Sequence, residues 1–478
     1  MISSPDSLPS TNQPTVATSF PCRAIETHSA APDHLDSSSE LTTEDEIRDR
    51  CHTARVQTDS GVVQCPECSL RIRVDPGYVT WCDQCGWNVD PGPADRPLPA
   101  WRTKLEHRLA DTLYRELEQG AVHRPGWDLA RVTALVLSAL LLVLPVTGLL
   151  AGVGLIVFYR PFWLSIPLAL IAFAIAAAFR PRAQYLPPDS PLVLRDEAPG
   201  LFALLDEIAA ALGTQRIAAV AVDTEPNVWF ARIGWRFRPV VGIGLPLWVT
   251  LGPQERVAVL AHELGHGKNG DARHGWVTEA ARSILDQLHR AFSNQEYDEY
   301  RLDVAYAVGA DTTQGHLTRV INSILGPLVR GYTWLLDRTD LRSGQRAEYL
   351  ADRKSGEVAG SEAAAAALER SLLADAAYRA LERALRFEQD VPPLEAVRRS
   401  VSGVPRREIE RRLRVSELRE TRTDATHPPT NLRTKLIRTR PSTSARVVLG
   451  IDANRVIDRE LAPAADAALK ELRAELPR

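Results

Sequence analysis

Cysteine is confined to the start of the chain, where all six lie within the first 85 of 478 residues. A disulfide framework for the remainder is thereby excluded. Lysine is nearly missing, occurring only at 104, 268, 354, 435 and 470. Arginine therefore carries most of the positive charge, a bias that fits GC-rich coding and a bacterial source better than a dedicated binding surface. The net charge of -3 leaves no electrostatic footprint for a nucleic acid. No internal repeat recurs. The opening MISSPDSLPSTNQP has neither the basic nor the apolar region of a secretory signal peptide, so none is expected.

From 129 to 179 Asp, Glu and Lys are all absent, and only Arg131 and Arg160 interrupt the apolar run. Two adjacent stretches of this length are rare in a soluble core, and the lipid bilayer is the expected partner. The expectation is a hairpin of two transmembrane helices at 132–159, with a kink at Pro145, and 162–179, turning at Arg160-Pro161. Arg115, Arg124 and Arg131 precede the pair and Arg180, Arg182 and Arg195 follow it, against Arg160 alone between them. The positive-inside rule then puts both termini in the cytoplasm of an integral protein of the bacterial cell membrane.

Residues 65–85 read CPECSLRIRVDPGYVTWCDQC, two CxxC knuckles around short alternating stretches. Cys65, Cys68, Cys82 and Cys85 at this spacing resemble a zinc ribbon, a closed tetrahedral site whose metal is structural. A redox CxxC pair is the lesser alternative. Zinc thiolates also call for a reducing compartment, in agreement with the arginine bias.

The other segments are read from periodicity. Residues 1–60, rich in Ser, Thr, Pro and Asp, form an unstructured tail. The ribbon follows over 61–92 and an amphipathic linker helix over 93–128, with Leu105, Leu109, Leu113 and Leu117 on one face. After the hairpin at 129–181 comes an α+β domain at 182–445, mainly helical with a small sheet, and then a helical tail at 446–478. Within that domain 240–251 reads as extended, and the Arg- and Glu-rich stretch 398–422 reads as a solvated helix surface.

One motif stands out in this domain. VAVLAHELGHGKNGD, beginning at Val257, holds His262, Glu263 and His266 as HExxH. Pro253 suits a first helical position, Glu255 complements the helix N-terminus and Asn269-Gly270 supplies a stop. On such a helix the two imidazoles project one turn apart and can grip one zinc, with Glu263 beside it to take a proton from water. A further protein ligand is needed. The metzincin pattern fails, because Asn269 and Ala272 stand where Gly and His would be required. RAEYLADRKSG offers Glu348 and, one turn on, Asp352, although composition alone favours a surface helix with ordinary acids there.

HELGH with NGD, the later EYLADRKSG, NVWFARIG at 227–234, the VVGIGLPLWVTL segment and THPPTNLR from Thr426 together resemble the HtpX-like family of membrane-anchored zinc metalloendopeptidases. That group includes the CAAX prenyl proteases and Oma1-type enzymes, and the resemblance covers about 185–440. It implies a zincin-type metalloprotease domain holding one catalytic Zn2+ on His262, His266 and Glu348, in addition to the structural Zn2+ of the ribbon. It also implies Glu263 as general base, Asp352 as acceptor for the spare N–H of a zinc-bound His, and His427 as an oxyanion stabiliser. The substrates implied are proteins or peptides, above all damaged or misassembled membrane proteins, received as an added strand near 240–245. Two alternatives stand beside this reading: a membrane-tethered ribbon adaptor with an inactive protease domain, and a prenyl-type protease.

Overall fold

The computed structural model describes residues 61–91, 100–120, 129–180, 186–187, 190–234, 236–268, 271–292, 313–388, 390–419 and 428–476. The chain forms two compact units, one up to Thr80 and the other from Trp81 onward.

In the first unit β1 (Val62–Gln64) pairs antiparallel with β2 (Arg71–Arg73), Val63 facing Ile72. Their turn carries Cys65 and Cys68. It is closed by the Cys65 N–H donating to Leu70 O at 2.8 Å and the Ser69 N–H to Cys65 O at 2.9 Å.

The second unit opens with a matching turn, in which the Cys82 N–H donates to Trp87 O at 2.9 Å. Helix α1 (Ala100–Gln119) then lays Leu113, Tyr114 and Leu117 on Tyr349, Leu350, Leu432 and Leu436. Helix α2 (Leu129–Phe158) contains 27 residues, Val132–Phe158, long and apolar enough to cross a membrane, and is the one such helix among the described residues. Helix α3 (Phe162–Ala178) is equally apolar but has only 17 residues. The two pack together where Gly148 and Gly152 of α2 meet Ala172, Phe173 and Ala176. A Cβ on Gly152 would overlap the Phe173 ring, so only glycine permits this approach.

The remainder of the second unit is mostly helical around one small sheet. After β3 (Leu192–Val193), α4 (Pro199–Leu212) packs on the helix that carries HExxH and buries Leu201, Phe202, Leu205 and Ile208 in the main core. Strands β4 (Ala219–Asp223), β5 (Val228–Ile233) and β6 (Arg238–Gly244) complete the order β3-β4-β6-β5. β6 runs parallel to β4, with Val241 beside Val220, and antiparallel to β5, with Val241 beside Phe230. Gly242 is needed here because the Trp229 indole, anchored by a 2.9 Å hydrogen bond to Asp223, lies where a Cβ would project.

Two expectations change at this sheet. The extended reading of 240–251 holds only to Gly244, because Pro246 in the first turn starts the short helix α5 (Leu245–Thr250). β6 has both edges paired and cannot receive an added strand; the edge strand beside it is β5.

Helix α6 (Pro253–Lys268) carries HExxH and starts at Pro253, where the Gly252 N–H donates to the Glu255 carboxylate at 2.7 Å. Its Val257, Leu260 and Leu264 are buried in the main core. Helix α7 (Asp271–Phe292) follows, and then the 47-residue α8 (Thr313–Ala359). The first half of α8 leans on α2, with the Tyr332 hydroxyl donating to Leu137 O at 2.6 Å; its last turns pack on α6. Helices α9 (Ser361–Ser371), α10 (Ala374–Phe387) and α11 (Pro393–Ser402) wrap the α5 and α6 side.

Helix α12 (Arg406–Arg419) is not the solvated surface its composition suggests. Arg407 donates to Trp81 O, Arg414 to Asp83 O and Arg411 to Val89 O, at 2.6, 2.6 and 2.7 Å, and Arg419 pairs with Asp90. The Trp81 ring is approached by the guanidiniums of Arg407 and Arg414. Buried Glu408 braces this row by accepting from both Arg411 and Arg412.

Helix α13 (Thr430–Thr439) packs on α8 and α9. Helix α14 (Ile451–Glu475) then joins the main core through Ile457, Leu461, Ala465 and Ala468. The Glu460 carboxylate caps α4 by accepting from the Gly200 and Leu201 N–H groups.

Candidate metal centre

The centre lies where α6 crosses the last turns of α8. The crossing is close because Gly265 faces Ala351 and the Ser355 hydroxyl donates to Ala258 O at 2.7 Å. At this contact His262, His266 and Glu348 bring one ligand atom each within 4.8 Å of the others. The Nε2 atoms of the two histidines are 3.2 Å apart, and each stands 3.4 Å from an oxygen of Glu348. A tetrahedral ion with bonds near 2.0–2.1 Å has ligand edges of about 3.3 Å, so this triangle fits a small borderline-soft cation.

Around the triangle the polar atoms are chained. The second nitrogen of His262, Nδ1, lies 3.0 Å from Asp352, which leaves Nε2 for a metal. Asp352 is in turn held by Arg433 of α13 through bonds of 2.7 and 2.8 Å. His262, Glu348, Asp352 and Arg433 are all buried, whereas Glu263 and His266 are partly open. Burial works to lower the His262 pKa, but Asp352 and Glu348 outweigh it and push it up to about 10 from protein groups alone. Burial works to raise the Asp352 carboxyl, and the Arg433 guanidinium with His262 overrides it, bringing it down to about 2. Burial likewise opposes the Arg433 charge, while Asp352 and Glu348 more than restore it. The cluster is thus a cation trap: the acids that favour a proton on His262 equally favour a metal in its place.

The structure brings together five residues singled out from sequence, His262, Glu263, His266, Glu348 and Asp352. His427 lies outside the described residues. Arg433 is the member that the sequence reading missed. It closes the THPPTNLR stretch, but nothing in its local spacing distinguishes it from the many arginines around it.

Two histidines a helical turn apart and a carboxylate from a second helix make a centre able to hold a metal ion. The family model described as peptidase family M48 matches residues 201–441, half of the chain, and the chain belongs to that family. No curated protein and no solved structure matches it.

Proposed function

We propose that the chain is a membrane-anchored, zinc-dependent endopeptidase that cuts protein substrates at the cytoplasmic face of a bacterial membrane. Within family M48 the reading favours the HtpX-like and Oma1-type enzymes, with a role in membrane protein quality control. The observation that carries it is the 3.2 to 3.4 Å triangle of His262, His266 and Glu348 with Glu263 at its side.

Zinc, when bound, supplies Lewis acidity toward the scissile carbonyl and acidifies water at the site. Glu263 accepts the proton of the attacking water and returns it to the departing amine nitrogen. Asp352 fixes the ring of His262, and Arg433 holds Asp352 against burial. A substrate backbone adds antiparallel or parallel to β5, the edge strand of the sheet. His427 is proposed to reach the developing oxyanion.

Anchoring rests on α2 and α3. Leu150, Phe158, Trp163 and Leu170 are more than 60% exposed on them, a surface costly in water and favourable in lipid. At about 1.5 Å per residue α3 reaches about 26 Å, near the thickness of a thin hydrocarbon core, so two spans are proposed. The cysteine group is proposed as a structural zinc ribbon. The test is casein digestion by the full-length protein in detergent: zinc should support it and a chelator abolish it, and digestion indifferent to metal would refute the reading.

A further inference from the structure

Away from the metal centre, an open groove of about 570 Å3 runs between α2 and α3. One side is lined by Leu142, Val146 and Leu149 of α2, the other by Phe173 and Ala177 of α3 with Arg180 just past its end, both sets at the same helical spacing. Each set covers seven residue steps, so the groove is about 10 Å long. Gly148 of α2 lies against Ala176 and Gly152 against Phe173, an antiparallel register that puts Arg180 at the Leu142 end. The walls are thus apolar until a guanidinium closes them. No carboxylate lines the groove, and none occurs from 129 to 179. The Arg180 end is also held in place: the carboxamide of Gln287, buried on α7, donates to Arg180 O at 3.3 Å and to Ser283 O at 2.8 Å.

We infer that this groove seats one anionic phospholipid, with an acyl chain between α2 and α3 and the phosphate on the Arg180 guanidinium. The inference rests on the reading that both helices span the membrane, and three features favour this occupant. An apolar trough that ends on a single cation, with no acid of its own, complements an apolar tail that ends on a single negative charge. A zwitterionic lipid would bring its own ammonium to Arg180 and gain less there. The volume falls within the range of small-molecule sites. The depth also fits, because Arg180 follows the last turn of α3 and, in the proposed topology, lies at the cytoplasmic face where anionic headgroups attract basic residues. A transmembrane helix from a partner protein fits less well. It would cover Arg180 with apolar side chains and leave the charge uncompensated, which is costly at membrane depth.

The test titrates the full-length protein, in mild detergent, with phosphatidylglycerol, with phosphatidylcholine of the same acyl chains and with oleate, and counts bound molecules by native mass spectrometry. Three variants accompany it: Arg180→Gln removes the cation, Ala177→Phe fills the trough, and Arg160→Gln removes the cation at the opposite end of the hairpin. Ala177 and Arg180 are both exposed, so these changes leave the packing intact, and thermal melting checks that each protein is folded. The unmodified protein should hold one phosphatidylglycerol about five- to tenfold more tightly than phosphatidylcholine. Arg180→Gln should bring the two to parity, Ala177→Phe should weaken both, and Arg160→Gln should keep the preference. Parity in the unmodified protein, a preference that survives Arg180→Gln, or oleate bound as tightly as phosphatidylglycerol overturns the seat. Anchoring is read separately, by removing detergent in the presence of phosphatidylcholine vesicles and floating them. Protein that floats with the vesicles but shows no lipid preference keeps its anchor and loses the seat. Protein that stays behind while still selecting phosphatidylglycerol in detergent overturns the membrane-spanning reading and leaves the groove.

Discussion

Arg433 grips Asp352 with two hydrogen bonds, 2.7 and 2.8 Å long, and Asp352 passes that hold to the Nδ1 of His262 at 3.0 Å. Three elements distant in sequence are thus joined by one buried chain that ends on His262, one of the three residues able to hold a metal. Removing the guanidinium leaves a carboxylate buried with only an imidazole for company. Arg433→Met should therefore destabilise the protein by about 3 kcal/mol. It should also weaken zinc binding about 10- to 100-fold, because His262 loses its fixed orientation. Chemical denaturation and competition with a zinc chelator measure the two effects, and unchanged affinity would remove Arg433 from the support of the centre.

The row of arginines on α12 gives a pH-dependent prediction. Burial raises the Glu408 carboxyl, but Arg411 and Arg412 outweigh it and hold its pKa below the usual range. A depressed folded pKa means that the brace contributes fully above the unfolded value near 4.3 and is lost as pH falls through the lower folded value. Glu408→Gln should cost about 2 kcal/mol at pH 7, with the deficit shrinking below about pH 4. Melting curves at the two pH values check this; a deficit of equal size at both would contradict the ionic brace.

Two metal sites of different character are expected. The intact chain should carry two zinc ions, and Cys82→Ser with Cys85→Ser should remove one while His262 and His266 keep the other. Elemental analysis against protein concentration decides it, and a single zinc in the unmodified chain would contradict the account.

The local parts of this architecture were legible in the sequence, and the long-range parts were not. HExxH could be read because its geometry is contained within one helix turn, with Pro253, Val257, Leu260 and Leu264 all consistent with α6. Glu348 needed the family resemblance, since a carboxylate on a helix says nothing about which helix it will face. Strand order is equally invisible to a local pattern, so an apolar, glycine-containing β6 looked available when it is paired on both sides. The α12 arginines looked solvated because composition does not reveal that backbone carbonyls at 81, 83 and 89 would meet them.

Membrane placement is tested by reporters. If α2 and α3 both span, fusions after Asp95 and after Arg478 should both report cytoplasm, because an even number of crossings returns the chain to its starting side. Opposite signals would mean that α3 does not cross, and would separate the cysteine group from the metallopeptidase centre.

The most direct test of the central claim is Glu263→Gln, assayed for zinc content and casein turnover on the same purified sample. The account expects zinc at the level of the unmodified protein, since His262, His266 and Glu348 are untouched, and turnover lower by about a hundred- to ten-thousandfold, since the proton acceptor is gone. Turnover close to that of the unmodified protein, with zinc still bound, would contradict it.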